Sequence, residues 1–214
     1  MRTVEVKLYQ FNELPTEKAK EKAREWMREG ESQDFGAFGE LFEPAQTVAE
    51  ILGIDFDTKT VPLHRGTRQE PDIRYSGFWS QGDGASFVGR YTFKPEAANK
   101  IREEFPKDEK LHAIADGLQA LYVGFKLLGK EPGEARITQD GNYVHKYTMS
   151  TELPDASENV TADDEERILE LMRDFAQWIY EGLEEEYDYR TSDECLDETM
   201  IANEYEFTED GERA

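Results

Sequence analysis

Residues 73–93 read IRYSGFWSQGDGASFVGRYTF, and this stretch decides the fold class. Residues 73–79 and 86–93 alternate aromatic or β-branched residues with small polar ones, which predicts two strands joined as a hairpin. A phosphate-binding loop would need backbone amides at a helix N-terminus, whereas SQGDGAS leads into a strand and carries Asp83. We therefore interpret the loop as a structural turn, in which Gly77 and Gly89 permit a bulge or close packing.

The alternative interpretation makes the same hairpin a ligand-binding surface. Trp79, Gln81, Asp83 and Arg90 would form it, and a small molecule such as a nucleotide signal would be the ligand. Calcium is a poor fit, because it prefers several oxygen side chains at alternating positions and Asp83 is the only carboxylate of the loop.

The rest of the chain alternates helical and extended patterns. We expect strands over residues 3–11 and 54–63, a second hairpin over 135–153 with its turn at Asp140-Gly141, and amphipathic helices over 14–30, 38–52, 95–105, 108–128, 162–188 and 192–203. Thr161 and Ser192 are predicted to cap the last two helices. This order predicts a single α+β domain over residues 1–214, with a mainly antiparallel sheet, two hairpins, packing helices and a long acidic C-terminal helix.

The 214 residues suffice for one well-cored domain. No run of about 18 apolar residues is present, and the first residues lack the apolar stretch of a signal peptide. The single cysteine, Cys195, cannot form an internal disulfide, which agrees with a reducing compartment. We therefore expect a cytoplasmic protein with no membrane contact.

The net charge of −23 is concentrated in one part of the chain. Residues 151–214 hold 23 Asp and Glu against four Arg, whereas residues 1–150 are near neutral, with 25 acids and 21 Lys and Arg. Direct contact of the acidic part with nucleic acid is disfavoured, because its carboxylates repel phosphates. A protein with a basic surface is the expected partner.

The predicted C-terminal helix places its acids in rows four residues apart, with few basic partners, so a large surface of one sign is expected. Residues 162–188 carry 11 acids and two Arg. Over ~40 Å this is one net charge per roughly 4.5 Å, sparser than the ~1.7 Å of duplex DNA, so mimicry of nucleic acid needs the following acids or a second copy of the chain. The candidate partner-binding residues are Glu166, Glu170, Asp174, Glu181, Glu184, Glu185, Asp188, Asp193 and Glu194. An acidic face that only keeps the protein soluble is the competing interpretation.

No arrangement typical of catalysis or metal binding stands out. His64, His112 and His145 lie on a loop, a helix start and a strand, without metal-ligand spacing. Cys195 lies among carboxylates, which oppose thiol activation. We expect no catalytic residues, no metal and no cofactor.

The segments YQFNELPTEKAKEKAREW, YSGFWSQGDGASF, EYDYRTSDECLDE and NEYEFTEDG resemble those of an uncharacterised family of accessory proteins of tailed phages and prophages. The resemblance covers most of the chain and implies an origin in a phage or mobile element. Because small acidic phage proteins often block host defence enzymes, it favours an inhibitor of a basic, nucleic-acid-handling host protein. A small-molecule sponge and a structural or assembly protein are the alternatives. The sequence leaves open whether the chain forms a homo-oligomer.

Overall fold

The computed structural model describes residues 7–35, 39–129, 133–153 and 161–214. Helices and antiparallel strands alternate along the chain, so the predicted single α+β domain is confirmed. Contacts within it form two compact units. The terminal unit comprises residues 1–38 and 183–214, and the central unit comprises residues 39–182.

The described residues contain six α-helices: α1 (Glu17–Asp34), α2 (Glu43–Leu52), α3 (Ala97–Glu104), α4 (Glu109–Leu127), α5 (Ala162–Arg190) and α6 (Asp193–Ala202). They also contain ten strands: β1 (Tyr9–Gln10), β2 (Ile54–Phe56), β3 (Thr58–Pro62), β4 (Thr67–Pro71), β5 (Ile73–Tyr75), β6 (Ala85–Phe87), β7 (Gly89–Tyr91), β8 (Ala135–Gln139), β9 (Met149–Glu152) and β10 (Glu206–Phe207). The division between the units falls inside α5. No described helix combines the length and the apolar character that a membrane span requires.

In the terminal unit, the core lies between α1 and α6. Thr16 caps α1 by accepting a hydrogen bond from the Ala19 backbone N–H at 3.1 Å. The buried side chains of this core are Phe11, Leu14, Ala19, Ala23, Met27, Leu196, Met200 and Phe207. Trp26, on the same helix, keeps 40% of its surface exposed. Gly30 was predicted to end α1, but the helix continues to Asp34 because Gly is tolerated inside a helix.

The termini of the terminal unit differ from the sequence-based expectation. Strand β1 pairs with β10, which was not predicted, with Tyr9 opposite Phe207. The predicted strand over residues 3–11 is shortened, because Phe11 already begins a 3₁₀ turn. Val4 and Val6, on which that prediction rested, lie outside the described residues.

The central unit is built on a four-stranded antiparallel sheet with the order β2-β7-β8-β9. Two hairpins, β3-β4 and β5-β6, accompany it. The hairpin expected from residues 73–93 therefore exists, but its second strand is divided: β6 pairs with β5, whereas β7 pairs with β2 and β8. Gly89 begins β7 where a side chain would collide with the Asp55 backbone, so it permits close packing there, against the backbone of β2 and not against the aromatic side chains that were expected.

Two further strand predictions need correction. The extended segment over residues 54–63 is two strands, β2 and β3, and the partner of β3 is β4, which was missed. The sequence of β4, TRQEP, lacks the alternating apolar residues by which a strand is recognised. In the second hairpin β8 pairs with β9 as expected, but residues 140–148 connect them and include a 3₁₀ turn at Lys146–Thr148, so Asp140-Gly141 is not a tight two-residue turn.

The helices of the central unit agree closely with the sequence pattern. Helix α2 begins at Glu43, after a 3₁₀ turn at Gly39–Phe42, and it ends at Gly53, whose φ of +90° favours glycine. Phe38, the predicted start of this helix, lies outside the described residues. The predicted apolar stripe of α4 is buried at Leu111, Ile114, Ala115, Leu118 and Phe125.

Candidate functional site

Helix α5 is held by a reciprocal cap at its first turn. Thr161 accepts a hydrogen bond from the Asp164 backbone N–H at 3.2 Å, and the Asp164 carboxylate accepts one from the Thr161 N–H at 3.0 Å. The helical period then separates its residues into two faces. The apolar face is buried and consists of Ile168, Leu171, Met172, Phe175, Ile179 and Leu183.

In the central unit, the acidic face of α5 is exposed but partly neutralised. Glu166, Glu170 and Asp174 all lie in solvent, as predicted. However, Glu166 pairs with Arg173 at 3.8 Å and Glu170 pairs with Arg167 at 2.8 Å. These cations are the two Arg already counted in residues 162–188, so the acids of this stretch still outnumber their basic partners. Among the described residues, no Lys or Arg forms an ion pair with Asp174.

The half-buried Glu181 is also neutralised within the central unit. Its carboxylate pairs with the Lys110 ammonium at 2.6 Å and accepts a hydrogen bond from the Gln177 amide at 3.3 Å. An exposed pair of this kind contributes little to stability, but it removes one negative charge from the surface that a partner would meet.

In the terminal unit, the basic residues of α1 neutralise acids of α6. Arg24 forms two hydrogen bonds to the Asp197 carboxylate, at 2.7 and 2.8 Å, and Asp197 raises the pKa of this guanidinium. Arg28 pairs with Asp193 at 2.7 Å. The candidate Asp193 is thus already occupied by an intramolecular partner.

Other acids of the terminal unit keep their charge unpaired. Within the described chain, no ion pair involves Glu184, Glu185, Asp188, Glu194 or Glu198. All but the half-buried Glu184 are exposed. The whole terminal unit holds 21 Asp and Glu against nine Lys and Arg in 70 residues, so its negative charge is denser than that of the central unit.

Two of these carboxylates, together with Cys195, act on Tyr189. Its phenol is 59% exposed, yet its pKa is raised, because Cys195, Glu198 and Glu194 disfavour a negative charge on the ring oxygen. Cys195 is half-buried at the first turn of α6, where its backbone N–H donates to Ser192 Oγ at 3.3 Å, so the predicted Ser192 cap is confirmed. We call Glu184, Glu185, Asp188, Glu194 and Glu198 the acidic cluster.

The loop of the β5-β6 hairpin is held by Asp83. Its carboxylate accepts hydrogen bonds from the backbone N–H groups of Trp79, at 2.9 Å, and Ser80, at 2.7 Å. Asp83 is therefore engaged inside the loop, as a structural turn requires. Arg90 lies on β7 in the other sheet and pairs with Glu134 at 3.7 Å, and in the described part of the chain no contact joins it to Asp83.

Two exposed tyrosines that the sequence did not single out lie on the neighbouring loop, residues 140–148. Ser76 Oγ donates to the Val144 carbonyl at 3.2 Å, which joins this loop to the β5-β6 loop. Tyr143 is 80% and Tyr147 69% exposed, close to the 79% of Trp79. Gln81 is also exposed. The sequence signal for these residues was the pair of tyrosines in DGNYVHKY. This segment connects two strands, so its tyrosines do not belong to a strand face that would bury them.

A charged cluster on β3, β4 and β5 was also missed. Lys59 lies directly opposite Glu70, which is 5% exposed, and Asp72, which is 8% exposed, binds Arg74 through two hydrogen bonds. Burial lowers the pKa of Lys59, whose ammonium donates to the Ile73 carbonyl. Alternating charges in RQEPDIR were the signal for it. The two buried carboxylates have Arg partners, Arg68 for Glu70 and Arg74 for Asp72, and Lys59 is bound to a backbone carbonyl, so we assign the cluster to the packing of the strands.

Residues 38–193 match DUF8835, a domain of unknown function. The chain belongs to this family. No curated protein and no solved structure matches the chain. The DUF8835 segment contains the whole of α5, the β5-β6 loop and the loop over residues 140–148. Glu194 and Glu198 of the acidic cluster follow it. The description of DUF8835 names no activity, so the resemblance to phage proteins stays an expectation.

The three histidines of the chain lie in the DUF8835 segment, and each has different surroundings. His112 Nε2 lies 2.8 Å from the Phe105 carbonyl, and His145 accepts a hydrogen bond from the Tyr147 N–H at 3.3 Å. His64 is exposed. In the residues that the structure describes, no group of three or more His, Cys, Asp or Glu has the arrangement of a metal site.

Proposed function

We propose that this protein binds a basic, nucleic-acid-handling protein through its acidic cluster and inhibits it by covering the surface that nucleic acid would use. The observation that supports the proposal most is the set of five carboxylates of α5 and α6 that have no ion pair within the described chain. Two of them, Glu198 and Glu194, act with Cys195 to raise the pKa of Tyr189. The resemblance to phage accessory proteins favours a host defence enzyme in the cytoplasm as the partner. The protein itself avoids nucleic acid, because its carboxylates repel phosphates.

Unpaired carboxylates suit this role better than paired ones. An acid that already has an intramolecular cation, such as Asp193 with Arg28, must give up that cation before it can bind another. Glu185, Asp188 and Glu198 are exposed and carry no such cost. Their field also steers a basic partner over several ångströms, which raises the association rate at low salt.

The test compares two variants that change the net charge by the same amount. Glu185→Gln with Asp188→Asn and Glu198→Gln removes three negative charges from the acidic cluster on α5 and α6. Glu50→Gln with Glu103→Gln and Glu104→Gln removes three exposed charges from α2 and α3. Wild type and both variants are used to capture proteins from a host lysate, and each captured protein is then titrated with DNA in their presence.

We expect wild type and the α2/α3 variant to capture the same basic protein and to prevent its DNA binding. The cluster variant should bind that protein roughly tenfold more weakly, because each exposed ion pair contributes up to about 1 kcal/mol. Affinity should also fall between 50 and 500 mM salt, where the Debye length falls from roughly 14 to 4 Å. Equal affinity of both variants, or an affinity independent of salt, contradicts the proposal.

A second candidate is binding of a nucleotide or similar aromatic ligand at the loops of the central unit. The exposure of Trp79, Tyr143 and Tyr147 on two loops joined by a hydrogen bond favours it, since exposed rings can stack on a planar ligand. Trp79 fluorescence during titration with nucleotides tests this candidate, with Trp79→Phe as the control. A ligand retained at both 50 and 500 mM salt would support it over the acidic cluster.

A further inference from the structure

The end of α4 exposes large apolar side chains. Residues 118–128 read LQALYVGFKLL, in which Lys126 is the single charged residue. Val123 is 45%, Leu127 83% and Leu128 69% exposed. Contiguous apolar surface of this kind is unusual on a protein with 34% charged residues, and it marks an interaction surface.

A groove lies beside these side chains, between α4 and the start of α5. It measures about 300 Å³ and is lined by Gly117, Ala120, Leu121, Gly124, Phe125, Leu128, Asp164 and Arg167. Gly124 faces open space in this groove, because a Cβ added at this residue would meet no atom within 4 Å. Leu127 projects three residues further along the same helix, so it lies next to the groove on one surface.

We propose that a second copy of this chain docks on this surface, in a two-fold dimer in which Leu127 of each copy enters the groove beside Gly124 of the other. A two-fold interface uses the same patch on both subunits, so it needs a projection and a recess on one surface. The end of α4 provides both. Asp164 and Arg167 on the groove lining are held within their own chain, by the cap with Thr161 and the ion pair with Glu170, so they present no uncompensated charge to the second copy.

Electrostatics favours a second copy over the basic partner as the occupant. Two chains of net charge −23 repel each other, and they can approach most easily through a surface that carries little charge. A basic protein is attracted instead to the acidic cluster. The dimer does not depend on the proposed function, and the two interactions respond to salt in opposite directions.

Sedimentation equilibrium of the full chain tests the dimer. Over about 5–200 µM protein, we expect the mass to rise from 24.7 kDa towards twice that value. Dimerisation should be stronger at 500 mM than at 50 mM salt, because salt screens the repulsion between the copies. A mass that stays at that of one chain under all these conditions overturns the proposal.

Two variants without a change of charge locate the interface. Gly124→Leu fills the groove, and since Leu favours helix more than Gly does, the monomer should fold at least as well. Leu127→Gln removes the projecting side chain. We expect each to weaken dimerisation about tenfold or more, as the loss of a buried apolar anchor does.

The controls are the same substitutions elsewhere. Gly182→Leu adds a side chain at another helical glycine with open space around it, and Leu63→Gln changes a leucine that is 45% exposed. Both should dimerise as wild type does. Circular dichroism and thermal melting check that every variant is folded. A dimer unaffected by Gly124→Leu and Leu127→Gln, or one that weakens with salt, places the interface elsewhere and refutes the inference.

Discussion

The pairing of Asp57 with Arg136 illustrates what single residues contribute in the central unit. Arg136 donates to both oxygens of the Asp57 carboxylate, and it also donates to the Gly89 carbonyl at 3.2 Å. This bidentate contact lowers the pKa of Asp57 below its ordinary value of 3.8. The ion pair therefore connects the residue between β2 and β3 with β8.

The shifted pKa of Asp57 predicts a pH dependence of stability. Because the folded state lowers this pKa, the pair stabilises the fold above the unfolded value of 3.8, and its contribution is lost as the pH falls through the lowered pKa. Asp57→Asn should lower the free energy of unfolding by roughly 0.5–1 kcal/mol at pH 7, since the pair is partly exposed. The difference from wild type should shrink as the pH falls from 5 towards 3.

Urea unfolding at each pH measures this difference. Asp140→Asn, at an exposed residue of the second hairpin, is the control and should change stability little. A deficit of Asp57→Asn that is the same at pH 3 as at pH 7 would show that the carboxylate charge is not its cause.

Among the elements, helices follow from the sequence and several strands do not. The caps Thr161 and Ser192 and the apolar period of α4 are local signals, and the structure confirms them. Strand β4 instead owes its conformation to pairing with β3, and β10 owes its own to pairing with β1. Such pairing depends on residues far away in the sequence, which a local pattern does not contain.

The reciprocal cap of α5 gives a prediction at this scale. Thr161→Ala removes the oxygen that accepts from the Asp164 N–H and should lower the free energy of unfolding by about 1 kcal/mol. Thr161→Ser keeps the hydroxyl and is the control. Hydrogen exchange of residues 162–166 should speed up in the alanine variant alone, and equal exchange in both variants would argue against the cap.

For the whole molecule, the composition predicted a negative electrostatic field. It did not predict which carboxylates produce that field. The nine candidate acids are all exposed or half-buried, yet four of them have cations beside them: Glu166, Glu170, Glu181 and Asp193. Arg28 and Lys110, which pair with two of them, are distant in sequence, so only the fold brings them there. Of the exposed aromatic residues on the two loops, the sequence predicted Trp79 as a candidate ligand-binding residue but not the tyrosines of the loop over residues 140–148.

Uneven neutralisation leads to a last prediction, on how stability depends on salt. Like charges that the fold holds close together destabilise it, and salt screens them, so the free energy of unfolding should rise between 50 and 500 mM NaCl. If repulsion is concentrated in the acidic cluster, Glu185→Gln with Asp188→Asn and Glu198→Gln should raise stability at 50 mM by about 1 kcal/mol and reduce the further gain from salt. Glu50→Gln with Glu103→Gln and Glu104→Gln, with the same change of net charge, should do so much less. Denaturant unfolding of wild type and both variants at 50 and 500 mM NaCl shows whether the repulsion is concentrated in the acidic cluster or spread over the surface. An equal gain in the free energy of unfolding for both variants would mean that the repulsion is spread over the whole surface. The acidic cluster would then not be favoured as the binding site for a basic partner.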